Sequence, residues 1–162
     1  MSVKVKNYLY QTKKTETTSL VFVLYFLIKF KLLTIKNKFY KQERLCSKKQ
    51  MKLLFEKGKS LVAFPIKLTF CFTPVNLKFP AQAMFVAPKR SFKKAHDRNK
   101  LKRRMREAYR LNKNTFYNDL VPFQTKMILA FLYIGKKSED YTSIEICMQK
   151  LLKNCLSENK TS

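Results

Sequence analysis

The chain has no tryptophan, two glycines, one histidine and only ten Asp or Glu among its 162 residues. Each shortage excludes a class of chemistry. Gly58 and Gly135 stand too far apart to share a phosphate-cradling loop, which rules out Walker and dinucleotide-binding signatures. His96 stands alone, and Cys46, Cys71, Cys147 and Cys155 form no C-x-x-C pair, so neither a zinc site nor a Cys–His nucleophile is in sight. The cysteine spacing is not that of a secreted disulfide framework, and the four read as reduced, small apolar residues. No pair of carboxylates is placed to hold metal ions for phosphodiester cleavage, and no nucleophile–base pair is visible.

What is present is positive charge and apolar bulk. Lys and Arg number 35, which sets the formal net charge at +25. Apolar residues make up 46% and aromatics 14%, too rich for a disordered basic tail. One compact domain with an appendage fits the length. Such a charge repels itself unless a polyanion neutralises it. Nucleic acid is the first expectation for a partner and an anionic membrane surface the second.

Residues 1–35 share no pattern with the rest. Residues 20–28 are nine consecutive apolar residues, but Lys29 and Lys31 interrupt the run before it could span a bilayer. No small-residue cleavage site follows, as a signal peptide would need. Three readings stay open for this extension: an amphipathic or membrane-touching leader, an added strand or helix on the domain, or an artefact of an upstream start codon, with the working protein beginning near 33–36; disorder is expected where it is not an artefact. The domain itself is expected over 36–157, with a frayed tail at 158–162.

From residue 36 the signals are regular. Ser47 is placed to cap a helix over 48–57, with Met51, Leu54 and Phe55 as its apolar stripe and Gly58 as a left-handed C-terminal cap. Over 61–73, Ile66, Leu68, Phe70 and Phe72 alternate with Lys67, Thr69, Cys71 and Thr73, a period-2 strand that Pro65 bulges or breaks. A second strand is expected over 82–87. Asp97 would cap a helix over 98–111. The apolar run 126–134 reads as a central strand buried on both faces. A last helix over 139–156 carries the stripe Ile144, Cys147, Met148, Leu151, Leu152 and Cys155.

The densest charge lies over 89–113, with twelve Lys or Arg against Asp97 and Glu107. At 100° per residue, Leu101, Met105, Ala108 and Tyr109 fall on one arc. Lys102, Arg103, Arg106 and Arg110 fall on the next. One face can dock on a sheet while its neighbour presents guanidinium forks, which bind phosphate in a bidentate way that Lys cannot. Glu107 is placed to pair with Arg103 or Arg110 one turn away. Tyr109 reads as core, and His96 as a loop residue before the cap.

The stretch from Phe85 through Ala87-Pro88-Lys89-Arg90 to Arg98-Asn99-Lys100-Leu101-Lys102-Arg103-Arg104-Met105-Arg106-Glu107 and Lys113 resembles the signature of the bacterial ribonuclease P protein component. The segments 39–49 and 54–60 resemble that family's first helix. The resemblance covers about residues 36–156 and leaves out 1–35. It implies an α/β fold, a two-layer sandwich in which a four-stranded mixed sheet packs with helices. It also implies a left-handed βαβ crossover through the basic helix, against the usual right-handed rule. The activity implied is endonucleolytic removal of the 5′ leader from precursor tRNA, leaving a 5′-phosphate. The catalytic groups and Mg2+ would sit mainly on an RNA subunit, in a cytoplasmic ribonucleoprotein with no obligate membrane or protein partner.

Roles carry over where positions match. Arg98, Asn99, Lys100, Lys102, Arg103, Arg106 and Arg110 would contact the catalytic RNA. Phe55, Met51, Lys67, Thr69, Lys89 and Arg90 would line the binding site of the precursor tRNA leader. Lys100 stands where the family usually has Arg, Met51 where it often has Phe, and Thr69 where Tyr occurs. Stacking in the cleft is thereby reduced, and Lys67 offers charge instead. For Phe55, plain core packing stays open beside base stacking. The other function classes are a structured-RNA-binding protein without a catalytic part, such as a ribosomal or RNA-chaperone protein, and a basic membrane-associated protein anchored through 20–33.

Overall fold

The computed structural model describes residues 38–75, 77–120 and 126–158. The expectations for residues 1–35, and for the tail beyond Glu158, lie outside the described residues. A 3₁₀ turn at Lys41–Glu43 precedes α1 (Lys48–Lys57), β1 (Lys59–Ala63), β2 (Ile66–Thr73), β3 (Ala81–Val86), α2 (Ala95–Leu120), β4 (Lys126–Tyr133) and α3 (Tyr141–Ser157). The four strands form one mixed sheet in the order β1-β2-β4-β3. β1 and β2 are antiparallel and turn at Phe64–Pro65, so Pro65 breaks the period-2 stretch into two strands. β2 and β4 are antiparallel, whereas β3 and β4 run parallel and are joined through α2.

Strand alternation sorts the two faces. Leu61, Leu68, Phe131 and Phe85 lie in one cross-strand row, and Ile66 with Tyr133 and Phe70 with Leu129 lie on the same face. Leu101, Met105, Ala108, Tyr109 and Phe116 of α2 and Ile144, Met148, Leu151, Leu152 and Cys155 of α3 close over it as the main core. The opposite face carries a smaller cluster of Leu45, Leu54, Leu77, Ile128 and Ala130, with Met51 and Leu53 of α1 packed on it. α1 thus covers part of the second face and leaves the row Val62, Lys67, Leu132 and Val86 at the far end only partly covered. β4 is buried without interruption from Met127 to Phe131, as its apolar run requires of a strand covered on both faces.

Several local expectations are corrected. Gly58 ends α1 with φ −74° and ψ 138°, not in the left-handed region, because the chain passes straight into β1. Glycine is needed there for space: a Cβ would collide with the Leu54 carbonyl oxygen and lie 2.9 Å from Thr69 Cγ2. Asp97 sits inside the first turn of α2, which starts at Ala95, and His96 lies in that turn rather than in a loop. α2 runs on to Leu120 because Phe116 and Leu120 continue its buried stripe. The α3 cap is Asp140, whose carboxylate accepts from the Ser143 N–H.

One polar cluster is built into the core. Glu43 and Lys113 pair at 2.5 Å, with side chains 0% and 2% exposed. Tyr117 donates to the same carboxylate at 2.9 Å, and the Tyr40 N–H donates to its other oxygen at 2.6 Å. Phe39, Tyr40 and Tyr117 ring the ammonium at about 6 Å. The pair ties the 3₁₀ turn to the middle of α2. Next to it, Arg44 bridges to Ala83 on the outer edge of β3, and the Leu45 N–H donates to the Ala83 carbonyl. Segment 39–45 therefore covers a strand edge that would otherwise be open.

Candidate nucleic-acid interface

The basic helix divides as its periodicity predicts. Leu101, Met105, Ala108 and Tyr109 are wholly buried. Lys102, Arg103, Arg106 and Arg110 lie on the outer arc at least partly exposed, and Asn99 and Lys100 are exposed near the helix start. Arg103, Arg104, Arg106, Glu107 and Arg110 line a shallow depression of about 430 Å³ with Tyr141 of α3. Glu107 is occupied: the Arg110 Nε and Nη2 atoms donate to its two oxygens at 2.9 and 2.6 Å. That hydrogen bond holds the Glu107 carboxyl below its ordinary range and raises Arg110 in turn. Arg106 is held below its ordinary value, first by partial burial and then by the like charges of Arg44 and Arg103. The surface thus carries more cation than its own acids neutralise.

Two arginines of the helix are spent on the fold. Arg98 Nη1 donates to the carbonyls of Phe92 and Lys93 at 2.9 and 2.6 Å, pinning the turn that follows β3. Arg104 Nη1 donates to the Glu139 carbonyl at 2.5 Å and the Ser138 hydroxyl at 3.3 Å, tying α2 to the loop before α3.

The second group of predicted residues gathers around the other face of the sheet. Lys67 and Thr69 point to the α1 side, paired with Leu132 and Ala130 of β4. Thr69 shares a hydrogen bond with Ser60 at 3.1 Å. Met51 is half-buried on the sheet-facing side of α1, whereas Phe55, one turn on, is 63% exposed. Plain core packing for Phe55 is thereby overturned; Leu54 and Leu53 supply that contact instead. Val62, also 63% exposed, extends the apolar surface on β1. Lys89 and Arg90 are exposed in the turn beyond Val86, the β3 member of the Lys67 row. These residues frame a partly open apolar face with cations at its rim.

Sequence reasoning passed over Arg44, which no local pattern marks and which only the fold brings to Arg106. It also passed over Tyr141, whose hydroxyl is buried without a hydrogen-bond partner beside the basic depression. Among the described residues no three His, Cys, Asp or Glu side chains gather as a metal site. No described helix is long and apolar enough to cross a membrane.

The model of the family described as Ribonuclease P matches residues 39–156. The chain belongs to the ribonuclease P protein family. It is accordingly a subunit of ribonuclease P and acts in tRNA processing. The ribonuclease P protein component of Porphyromonas gingivalis strain W83 is 33% identical over 113 residues, covering 69% of this chain and 82% of the relative. That of Chlorobium phaeobacteroides is 32% identical over 123 residues, covering 71% and 84%. Among solved structures, the ribonuclease P protein of Thermotoga maritima superposes with a TM-score of 0.56 at 24% identity, over 68% of this chain and 96% of that one. At these identities the structural likeness speaks for the fold.

Proposed function

We propose that the chain binds the catalytic RNA of ribonuclease P through the outer arc of α2 and the 5′ leader of precursor tRNA across the partly open sheet face. The holoenzyme then cuts the leader endonucleolytically and leaves a 5′-phosphate, with the reacting groups on the RNA. One observation carries this reading: a helix with one face wholly buried and the adjoining arc carrying Lys102, Arg103 and Arg106 beyond the one arginine, Arg110, that Glu107 neutralises. Phosphate forks suit the folded RNA, and the exposed Phe55 with its cationic rim suits an unpaired strand, whose bases stack and whose backbone needs charge. Arg98 fits better as the brace of the turn carrying Lys89 and Arg90 than as a direct contact, since one guanidinium nitrogen is already bonded twice. On this reading Mg2+ is held mainly by the RNA, and no step is assigned to it on the protein. The working site is the cytoplasm, without an obligate membrane or protein partner.

The test is precursor-tRNA cleavage at low magnesium by cognate RNA alone, with the full chain, and with residues 36–162. Rescue by the full chain supports the reading, and equal rescue by the fragment shows that the first 35 residues are dispensable. RNA binding without rescue moves the chain to a non-catalytic RNA-binding role.

A further inference from the structure

We infer that Arg44, Arg103 and Arg106 form one composite site for a backbone phosphate of folded RNA. The inference rests on the RNA-binding reading and adds a residue from outside the basic helix. Arg103 and Arg106 are three apart on α2 and share its outer arc. Arg44 is delivered by segment 39–45, which three contacts fix. Phe39 stacks edge-on against Tyr109 at 5.7 Å between ring centres. Glu43 is bound to Lys113. The Leu45 N–H is bonded to the Ala83 carbonyl.

The nearby acids are already taken. Glu43, the immediate neighbour of Arg44, is sequestered by Lys113, and Glu107, the immediate neighbour of Arg106, by Arg110. Among the described residues none of the three arginines is paired with a carboxylate. Arg106 is also partly desolvated and feels both Arg44 and Arg103 as repulsive neighbours. Three like charges held near one another by a rigid fold raise the energy of the free protein, and an anion that bridges them lowers that cost. Planar forks arriving from two segments match the oxygens of a phosphate, which accepts bidentate pairs. A chain of phosphates held in fixed tertiary positions, as in a folded RNA, can meet such a preset site without reorganising it.

The experiment measures equilibrium binding of the full chain to cognate catalytic RNA, and separately to precursor tRNA with and without its leader, over a range of salt. The variants are Arg44→Ala, Arg106→Ala, the double variant, and Lys150→Ala as a control of equal charge on the exposed side of α3. Arg44→Lys keeps the charge but not the fork, and thermal melting reports folding. We expect Arg44→Ala to weaken binding about tenfold and to lower the salt slope by about 0.7–0.9, one phosphate's share. Arg44→Lys should recover only part of the loss. The double variant should lose less than the product of the two single effects, because both arginines hold the same phosphate. The RNA on which the loss appears is the source of that phosphate. Arg44→Ala binding no worse than Lys150→Ala on every RNA, or fully multiplicative losses, overturns the composite site. Failure of the unaltered chain to bind any of these RNAs overturns the RNA-subunit reading itself.

Discussion

Lys113 belongs by sequence to the basic run, yet its ammonium lies in the core against Glu43. Helical periodicity sets it between Arg110 and the buried Tyr109 but does not say that its charge is buried, because the deciding partner comes from a turn far earlier in the chain. Removing one member of a buried pair leaves the other charged and unsolvated. Lys113→Met is expected to cost about 3–5 kcal/mol in urea denaturation, and adding Glu43→Leu to restore most of it. A single variant as stable as the parent would show that the pair is not buried as described. Arg98 makes a second residue-scale case. With its two bonds to the Phe92 and Lys93 carbonyls removed, Arg98→Ala should cost about 1–3 kcal/mol. Amide exchange over residues 91–94 should quicken, and the holoenzyme's affinity for leader-bearing precursor should fall more than its affinity for tRNA without a leader. Equal losses of affinity for both RNAs would make Arg98 a general RNA contact instead of a brace.

At the scale of the element, α2 is where sequence reading fell furthest short. Its first half announces itself through Leu101, Met105, Ala108 and Tyr109. Its second half passes through Asn112, Lys113, Asn114 and Thr115, which read locally as a helix stop. The helix continues because Phe116 and Leu120 reach the core beside α3, and because Asn112 bonds back to the Ala108 carbonyl and across to Gln149. Tertiary burial outweighs the small loss in propensity. Phe116→Ala should therefore cost about 3–5 kcal/mol, as for a buried aromatic. Circular dichroism of the folded variant should lose little helix, since the remaining contacts still hold the element. A cost below about 1 kcal/mol would place this part of the helix outside the core. The α1 stripe was legible in outline, but of its three apolar positions Phe55 alone faces solvent. A spacing of i, i+3 and i+4 cannot tell a core residue from one at the rim of a surface.

At the scale of the whole molecule, the +25 charge and the buried hydroxyls and thiol respond to pH in opposite senses. Burial pushes the Cys155 thiol from 9.0 up to about 12 and raises the Tyr109 and Tyr117 hydroxyls as well. The folded protein keeps these protons where the unfolded chain releases them. Their contribution is therefore complete below pH 9 and declines as pH rises from 9 towards 12. Lysine deprotonation relieves self-repulsion over the same range, and high salt suppresses that effect. In high salt with reductant, the urea midpoint should fall between about pH 8 and about pH 10.5. A midpoint that holds or rises would mean these groups titrate normally in the folded state.

The strand and helix types, the buried arc of α2, the central position of β4 and the basic character of the interface can be read along the chain. These follow from periodicity and composition, which act within one element and need no partner to be read. Tertiary structure alone decided that Lys113 turns inward, that Arg98 and Arg104 serve the fold, that Phe55 stays exposed and that Arg44 joins Arg103 and Arg106. Each depends on which charge or surface arrives from a distant segment. Burial and ion pairing are properties of that meeting, so no window along the chain contains them.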